Sequence, residues 1–268
     1  MTETMKTELA VCVAGLTGWT GQAVAQGVRD EPDLRLHCGV ARSAAGTEHL
    51  GVPVYATVAE ALDAGGVDVL VDYTSHSAVG ANVRAALERG VPVVVGSSGL
   101  SGEDYEQIAE LATRHGVGVV ASGNFSLTAA LAQAAAKLAA RHLPHWEIID
   151  YASAQKPDAP SGTARELAEQ LAAIRAPEYA IRPEQTAGHP EARGAAIEDV
   201  QVHSVRLPGF VLSVEAIFGL PDERLTIRHD AGSSATPYVA GTLLAIRAAA
   251  RRTGLVRGLD SLLLEAPA

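Results

Sequence analysis

The sequence predicts an α/β protein with a Rossmann-like doubly wound parallel sheet and a second, smaller α+β domain. Short apolar runs alternate with amphipathic helical stretches over the first half of the chain, and a glycine-rich turn follows the first run. Closely spaced β-rich runs fill the later part. Regular β-α-β alternation is typical of a parallel sheet with helices on both faces.

The apolar runs of the first half are continuous, which is typical of strands covered on both faces. The predicted strands are Leu9–Ala14, Leu34–Val40, Val67–Asp72, Val91–Val95 and Val117–Ala121. The predicted helices are Gln22–Arg29, Ala78–Arg89 and Gly102–His115. Ser101 before the last helix and Gly116 after it are residue types that cap helices at these two ends.

The pattern changes after Asn124, where a long helix precedes a strand, a second helix and three closely spaced strands. These elements are Leu127–Arg141, Trp146–Ser153, Ala164–Ile174, Ile197–Arg206, Phe210–Phe218 and Glu223–His229. Strands joined by short turns predict an antiparallel or mixed sheet. We therefore predict one domain over residues 1–124 and a second over 125–234. The C-terminal helix, Pro237–Arg252, lies in a segment, 235–268, that returns to the first domain.

Composition excludes several classes of protein. The 268 residues contain 21 Lys+Arg and 31 Asp+Glu, a net charge of −10 that disfavours binding to nucleic acid. No apolar run approaches the ~20 residues that span a bilayer. Met1–Lys6 lacks the basic-then-apolar order of a secretion signal. Cys12 and Cys38 fall in predicted buried strands, so we expect a cytoplasmic protein with neither a disulfide framework nor a metal site.

The glycine-rich turn is the first candidate site. It lies between the first predicted strand and a helix and comprises Gly15, Leu16, Thr17, Gly18, Trp19, Thr20 and Gly21. Glycines there permit a tight turn, and a helix N-terminus attracts a pyrophosphate. An ordinary tight turn is the alternative, but the strand-turn-helix context favours a dinucleotide site. Residues 1–124 are thus predicted to form the dinucleotide-binding domain.

The end of the second strand indicates which dinucleotide binds. A carboxylate there would hold the ribose 2′-hydroxyl of NAD(H). This chain instead has Arg42, followed by Ser43, and a guanidinium suits the 2′-phosphate of NADP(H). We predict that NADPH is preferred and that NADH is possible. The alternative is that Arg42 is a solvated surface residue.

Small polar residues follow three other predicted strands. Ligands of doubly wound sheets bind beyond the carboxyl ends of the strands. Gly96–Gly99 could offer backbone donors to the nicotinamide ribose or ring, although a plain strand-to-helix turn is the alternative. The candidate cofactor residues at these ends are Thr74, Gly96, Ser97, Ser98, Ser122, Asn124 and Phe125.

The most specific motif runs from Lys156 to Ala164, Lys-Pro-Asp-Ala-Pro-Ser-Gly-Thr-Ala. Thr163 is the predicted helix cap, with Glu166 completing a capping box. A helix N-terminus with hydroxyls and an upstream lysine suits a carboxylate substrate. The candidate substrate residues here are Lys156, Ser161, Gly162 and Thr163. A structural cap beside a surface lysine is the alternative.

With these motifs the sequence resembles the dihydrodipicolinate reductase family, NAD(P)H-dependent enzymes of lysine and diaminopimelate biosynthesis. The resemblance covers nearly the whole chain. It implies that Lys156 is a proton donor or substrate contact and that Gly162 and Thr163 bind a substrate carboxylate. It also implies that Gly15–Thr20, Gly96–Ser98 and Ser122–Phe125 line the cofactor site. A homotetramer built through the C-terminal sheet, or a homodimer, is expected.

The chain departs from the family where histidines usually precede the motif lysine. Those positions hold Ala152, Ser153 and Gln155. Lys156, or a water held by Tyr151, Ser153 or Gln155, would then supply the proton, so Tyr151 and Ser153 join the substrate candidates. We predict an NAD(P)H-dependent reductase of a C=N or conjugated imine in a small carboxylated substrate. A divergent imine reductase or amine dehydrogenase, and a non-catalytic NADP-binding protein, remain alternatives.

Overall fold

A computed structural model describes residues 8–264, which divide into two compact units. Unit 1 comprises residues 8–127 and 235–264 of the described chain, and unit 2 is Thr128–Ser234. The Met1–Lys6 segment, on which the expectation of no secretion signal depends, lies outside the described residues. None of the helices within residues 8–264 is both long and apolar enough to cross a membrane.

Unit 1 contains an eight-stranded sheet in the order β13-β7-β6-β5-β1-β2-β4-β3. All neighbouring strands are parallel except β3 and β4. Numbered in chain order, its strands are β1 Leu9–Ala14, β2 Leu34–Val40, β3 Glu48–His49, β4 Val52–Tyr55, β5 Val69–Asp72, β6 Val93–Val95, β7 Gly118–Ala121 and β13 Gly254–Arg257.

Helices cover both faces of this sheet. They are α1 Trp19–Asp30, α2 Val58–Asp63, α3 Val79–Leu87, α4 Gly102–His115, α7 Thr236–Ala249 and α8 Asp260–Leu264. Helices α1 and α7 pack together on one face, whereas α2, α3 and α4 share a core cluster on the other. Helix α1 follows the carboxyl end of β1. Strand β1 lies between β5 and β2, and the order of the strands reverses at this point of the sheet. The doubly wound sheet predicted from the sequence is confirmed.

Unit 1 also contains elements that the sequence did not predict. Strands β3 and β4 and helix α2 follow Arg42, and β13 and α8 follow the last long helix. Helix α7 ends at Ala249, before the predicted Arg252. The chain then runs as β13 beside β7, so the C-terminal segment adds a strand to the sheet.

Unit 2 packs two helices on one face of a five-stranded sheet. The helices are α5 Leu127–His142 and α6 Gly162–Ala172, and the strands are β8 His145–Ala152, β9 Ala195–Ile197, β10 Val200–Arg206, β11 Leu212–Leu220 and β12 Glu223–Ala231. The strand order is β12-β11-β8-β10-β9, with β8 and β10 parallel and the other pairs antiparallel. The sheet is thus mixed, and Trp146 and Phe218 lie in the core beneath the helices.

The strand predicted over Ile197–Arg206 is two strands, so that prediction was wrong. Glu198 and Asp199 have φ values of +49° and +67° and form the turn of a hairpin between β9 and β10. Two consecutive left-handed residues are the conformation that a tight hairpin needs. This turn contains no glycine, so the sequence lacks the usual signal of a tight hairpin at this position.

Candidate active site

The glycine turn after β1 is held tightly against the neighbouring strand end. Gly15 has φ +85°, and a Cβ at this position would overlap the backbone carbonyl of Tyr73. A Cβ at Gly21 would overlap the carbonyl of Gly15, so only glycine lets α1 approach β1 this closely. These two contacts bring the first turn of α1 to the carboxyl edge of the sheet.

The N-terminus of α1 is open to an anion. The helix begins at Trp19, and no side chain caps it at Gly18. The N–H groups of its first turn, including that of Thr20, have no acceptor within a helix and attract a phosphate. Leu16 is fully buried and packs on Gly39, and its N–H donates to the Val40 carbonyl (3.3 Å), so Leu16 shapes the turn.

The Asp72 carboxylate, which is not among the predicted site residues, organises two strand ends. Asp72 is fully buried at the end of β5. Its Oδ1 accepts hydrogen bonds from the Thr74 hydroxyl (2.8 Å), the Thr74 N–H (3.1 Å) and the Ser97 hydroxyl (2.6 Å). Its Oδ2 accepts one from the Asn82 amide (2.8 Å). Asp72 therefore fixes Thr74 and Ser97, two of the candidate cofactor residues.

We expect Asp72→Ala to weaken NADPH binding about tenfold, because it removes the acceptor that holds the Thr74 and Ser97 hydroxyls in place. The dissociation constant from NADPH fluorescence titration measures the effect. Asp63→Ala is the matched control, since Asp63 forms an exposed ion pair with Arg89 at 2.8 Å. Equal affinities of the two variants would contradict a positioning role for Asp72.

The loop after β7 presents one unpaired donor. The Ser122 hydroxyl donates to the Asn124 carbonyl (2.9 Å), and Asn124 Oδ1 accepts from the Ser126 N–H (2.9 Å). Asn124 Nδ2 is buried and has no partner. Phe125 is buried, and its ring lies edge-on to Tyr73 at 6.0 Å between centroids.

The remaining candidate cofactor residues lie at two more strand ends of unit 1. Gly96 follows β6, and a Cβ there would overlap the Tyr73 ring. Ser98 follows in the same turn. Arg42 and Ser43 are exposed in a short 3-10 turn directly after β2. The structure thus places every candidate cofactor residue beyond the carboxyl end of a parallel strand.

In unit 2, Ser161 caps α6, and the prediction that Thr163 does so was wrong. The Ala164 N–H donates to the Ser161 hydroxyl oxygen at 3.3 Å. Thr163 is the second residue of the helix, so Glu166 cannot complete a capping box with it. The N–H groups of Gly162 and Thr163 belong to the first turn, where a helix attracts an anion.

A second buried carboxylate, also missed by the sequence, holds the start of α6. Asp150 is fully buried on β8 and accepts from the Ser161 N–H (2.8 Å) and hydroxyl (2.7 Å). It also accepts from Arg206 Nη2 (2.7 Å) and the Ser204 hydroxyl (3.2 Å). Arg206 in turn donates to the Asp158 carbonyl at 2.8 Å. Ser161 is therefore committed to this network.

Lys156 lies in the loop that Arg206 holds through its hydrogen bond to the Asp158 carbonyl. Its ammonium Nζ is 2.8 Å from Asp158 Oδ1, and its side chain is 31% exposed. Burial alone would raise the pKa of Asp158. The hydrogen bond and charge of Lys156, together with a backbone hydrogen bond and the charge of Arg206, outweigh burial and lower that pKa. Ser153 accepts from the Lys156 N–H through its carbonyl (3.0 Å) and donates to Gln155 Oε1 through its hydroxyl (2.6 Å).

Tyr151 does not share the face of the sheet that holds α6. Side chains alternate along a strand, so Asp150 faces the helices and Tyr151 faces the other way. The Tyr151 hydroxyl donates to Glu215 at 3.3 Å, and its ring lies under Arg228 and beside Phe210. Burial, with the nearby Glu215 carboxylate, raises the pKa of Tyr151.

Family models match both parts of the chain. The model for the N-terminus of dihydrodipicolinate reductase matches residues 9–125, and the model for its C-terminus matches residues 125–263. These matches together cover most of the chain.

Individual proteins agree with the family models. The 4-hydroxy-tetrahydrodipicolinate reductase of Thermosynechococcus vestitus is 38% identical over 275 residues, covering 97% of this chain and 98% of the relative. That of Streptococcus suis is 38% identical over 260 residues, covering 95% and 99%. A solved structure, dipicolinate-bound dihydrodipicolinate reductase from Paenisporosarcina sp. TG-14, superposes with a TM-score of 0.79 at 28% identity, covering 95% and 99%.

These matches span both units and confirm the resemblance drawn from the Lys156–Ala164 motif. The chain therefore belongs to the dihydrodipicolinate reductase family of NAD(P)H-dependent oxidoreductases.

Proposed function

We propose that this protein uses NADPH to reduce 4-hydroxy-tetrahydrodipicolinate, the cyclic dicarboxylate in the names of its relatives. The observation that carries the proposal is the juxtaposition of Lys156 with the start of α6 through Asp158, Arg206 and Asp150. One helix N-terminus and one ammonium are thereby fixed in the same part of unit 2. This pair suits an anionic substrate that must also receive a proton.

Unit 1 fits a pyridine dinucleotide. The open first turn of α1 would bind the pyrophosphate, and Thr74 and Ser97 would contact the nicotinamide ribose. Asn124 Nδ2, buried without a partner, would donate to the carboxamide. When bound, the dihydronicotinamide supplies the hydride.

Unit 2 would bind the substrate. The N–H groups of Gly162 and Thr163 hold one carboxylate, since the positive end of a helix dipole stabilises an anion. Loss of the ring-4 hydroxyl with a neighbouring ring hydrogen, as water, would leave a conjugated C=C–C=N. Its electrophilic carbon would receive a hydride from the bound dihydronicotinamide, and Lys156, which also binds the substrate, would supply the balancing proton. Asp158 orients the Lys156 ammonium, and Ser153 and Gln155 place a water beside it.

NADPH oxidation followed by absorbance, with the substrate generated in situ, tests the proposed function. We expect turnover with 4-hydroxy-tetrahydrodipicolinate. A different cyclic imino acid is the second candidate, favoured by Ala152, Ser153 and Gln155 at the places of the usual histidines. A panel of cyclic imino acids distinguishes the two, and binding of NADPH without turnover on any of them would contradict both.

Arg42→Ala should weaken NADPH binding more than NADH binding, by about 1–3 kcal/mol, because a charge-assisted hydrogen bond to the 2′-phosphate is lost. The dissociation constants of both cofactors measure the difference. Arg29→Ala is the matched control, since Arg29 is exposed in the last turn of α1, at the other end of that helix. Equal losses of NADPH and NADH affinity would show that Arg42 does not contact the phosphate.

We also propose that the protein assembles as a homotetramer or homodimer through the sheet of unit 2. Helices α5 and α6 cover only one face of that sheet. Ile149, Tyr151 and Ile217 lie on the other face and are only half-buried. Light scattering on the purified protein tests the assembly.

A further inference from the structure

A small cavity in unit 2 contains an unexplained polar side chain. It lies between α5, α6 and the strands β11 and β12, and its volume of about 10 Å³ leaves room for roughly one water-sized group. Seven apolar residues form most of its wall. The polar contributions are Gln133 from α5, Thr163 from α6 and His229 from β12.

Gln133 is the unusual member of this wall. Its side chain is 2% exposed, and neither its Oε1 nor its Nε2 has a hydrogen-bond partner. Leaving one buried polar group unpaired costs about 1–3 kcal/mol. Among residues 8–264, Gln133 is the one side chain with two such atoms. A carboxamide kept in an apolar wall at this cost indicates a ligand group that pairs with both atoms.

The cavity adjoins the place where the substrate carboxylate would bind. Thr163 belongs both to the cavity wall and to the first turn of α6. Asp150, which holds that turn, is in register with Val214 on β11, and Val214 with His229 on β12. Val214 and His229 line the cavity. The residue that holds the anion site and two residues of the cavity wall therefore occupy paired positions on three neighbouring strands.

The residues of the cavity wall favour a neutral ligand group over a charged one. A carboxylate could accept from Gln133 Nε2 but could not donate to Oε1, whereas a hydroxyl does both. An apolar wall also solvates a charge poorly. Burial lowers the pKa of His229, so its imidazole is neutral at pH 7 and supplies no balancing charge.

We propose that Gln133 binds the hydroxyl on ring position 4 of the substrate, and that it selects the hydroxylated ring. This inference rests on the proposed function. The carboxylate lies at the N-terminus of α6, the hydroxyl enters the cavity beside Thr163, and both amide atoms of Gln133 become paired.

Two stable ligands test this contact without turnover. Piperidine-2,6-dicarboxylate and 4-hydroxypiperidine-2,6-dicarboxylate differ by one hydroxyl at ring position 4. We expect the unmodified protein, saturated with NADPH, to bind the second about fivefold more tightly in calorimetry. Gln133→Leu should remove this preference and leave the affinity for piperidine-2,6-dicarboxylate within about twofold. It should also raise the KM for 4-hydroxy-tetrahydrodipicolinate about tenfold.

Gln170→Leu is the matched control, because Gln170 lies on α6, has an unpaired buried Oε1 and does not line the cavity. It should keep the preference. Gln133→Met replaces Gln133→Leu if the latter does not fold. An unchanged ratio of the two affinities in the Gln133 variant, or an equal loss of both, overturns this inference alone. Failure of the unmodified protein to bind either ligand overturns the proposed function with it.

Discussion

We expect Lys156→Ala to lower kcat by about 10²–10⁴-fold, the range typical of lost general acid catalysis, and to change the dissociation constant of NADPH less than about twofold. The reason is that Lys156 is the one ammonium fixed beside the start of α6, whereas every candidate cofactor residue belongs to unit 1. Stopped-flow measurement of NADPH oxidation gives the first quantity and fluorescence titration the second.

Two further variants separate the charge of Lys156 from its position. Lys156→Arg keeps a cation but places it on a planar, bulkier group, so we expect substrate binding to survive better than turnover. Asp158→Asn keeps the lysine and removes the carboxylate that orients it at 2.8 Å, so a smaller loss of kcat should follow. Turnover of Lys156→Ala at the rate of the unmodified protein would show that a water is the proton donor.

The structure narrows which group can replace the histidines missing at positions 152, 153 and 155. Ala152 is fully buried, so its side chain contacts no substrate. Tyr151 faces the opposite side of the sheet with Glu215, and its raised pKa makes it a weaker acid than an ordinary tyrosine. Ser153 and Gln155 remain near Lys156 and can hold a water. Lys156 is thus the strongest acid candidate in this part of unit 2.

Sequence patterns located the elements that end at distinctive residues. Helix α4 has the predicted bounds because Ser101 forms a capping box with Asp104 and Gly116 adopts a left-handed conformation, φ +68°. Strands β1 and β2 also have their predicted bounds. β1 is a continuous apolar run before a turn, whereas β2 alternates apolar residues with Arg35 and His37 before its own turn. Strand β4 was missed because it is four residues long and contains Pro53.

The sequence predicted those parts of the candidate site whose residues all lie in one short segment of the chain. The glycine turn and the Lys156–Ala164 motif are single segments, and their place at strand and helix ends follows from residue type. Asp72 and Asp150 were missed as organising residues because their partners are distant along the chain. Ser97 lies 25 residues from Asp72, and Arg206 lies 56 residues from Asp150. Only strand pairing brings such residues together, and residue spacing carries no signal of it.

The largest expected effect on stability belongs to Asp150. Asp150→Asn should lower the free energy of unfolding of unit 2 by about 3 kcal/mol, because removing one partner of a buried ion pair leaves the other charge uncompensated. Here that partner is the Arg206 guanidinium, whose side chain is 17% exposed. The same change removes one of the two oxygens that accept from Ser161, so the start of α6 and the Lys156 loop are held less firmly, and we expect kcat/KM to fall as well.

Urea unfolding followed by tryptophan fluorescence measures the stability change in unit 2. Trp146 is buried in its core, and Trp19→Phe removes the other tryptophan, which lies in unit 1. Arg206→Met and the double variant complete a double-mutant cycle that isolates the pair from its neighbours. We expect the double variant to be less destabilised than the sum of the two single changes, since it leaves no buried charge. Strict additivity would show that Asp150 and Arg206 act independently, and the loop would then depend on Ser161 and its cap alone.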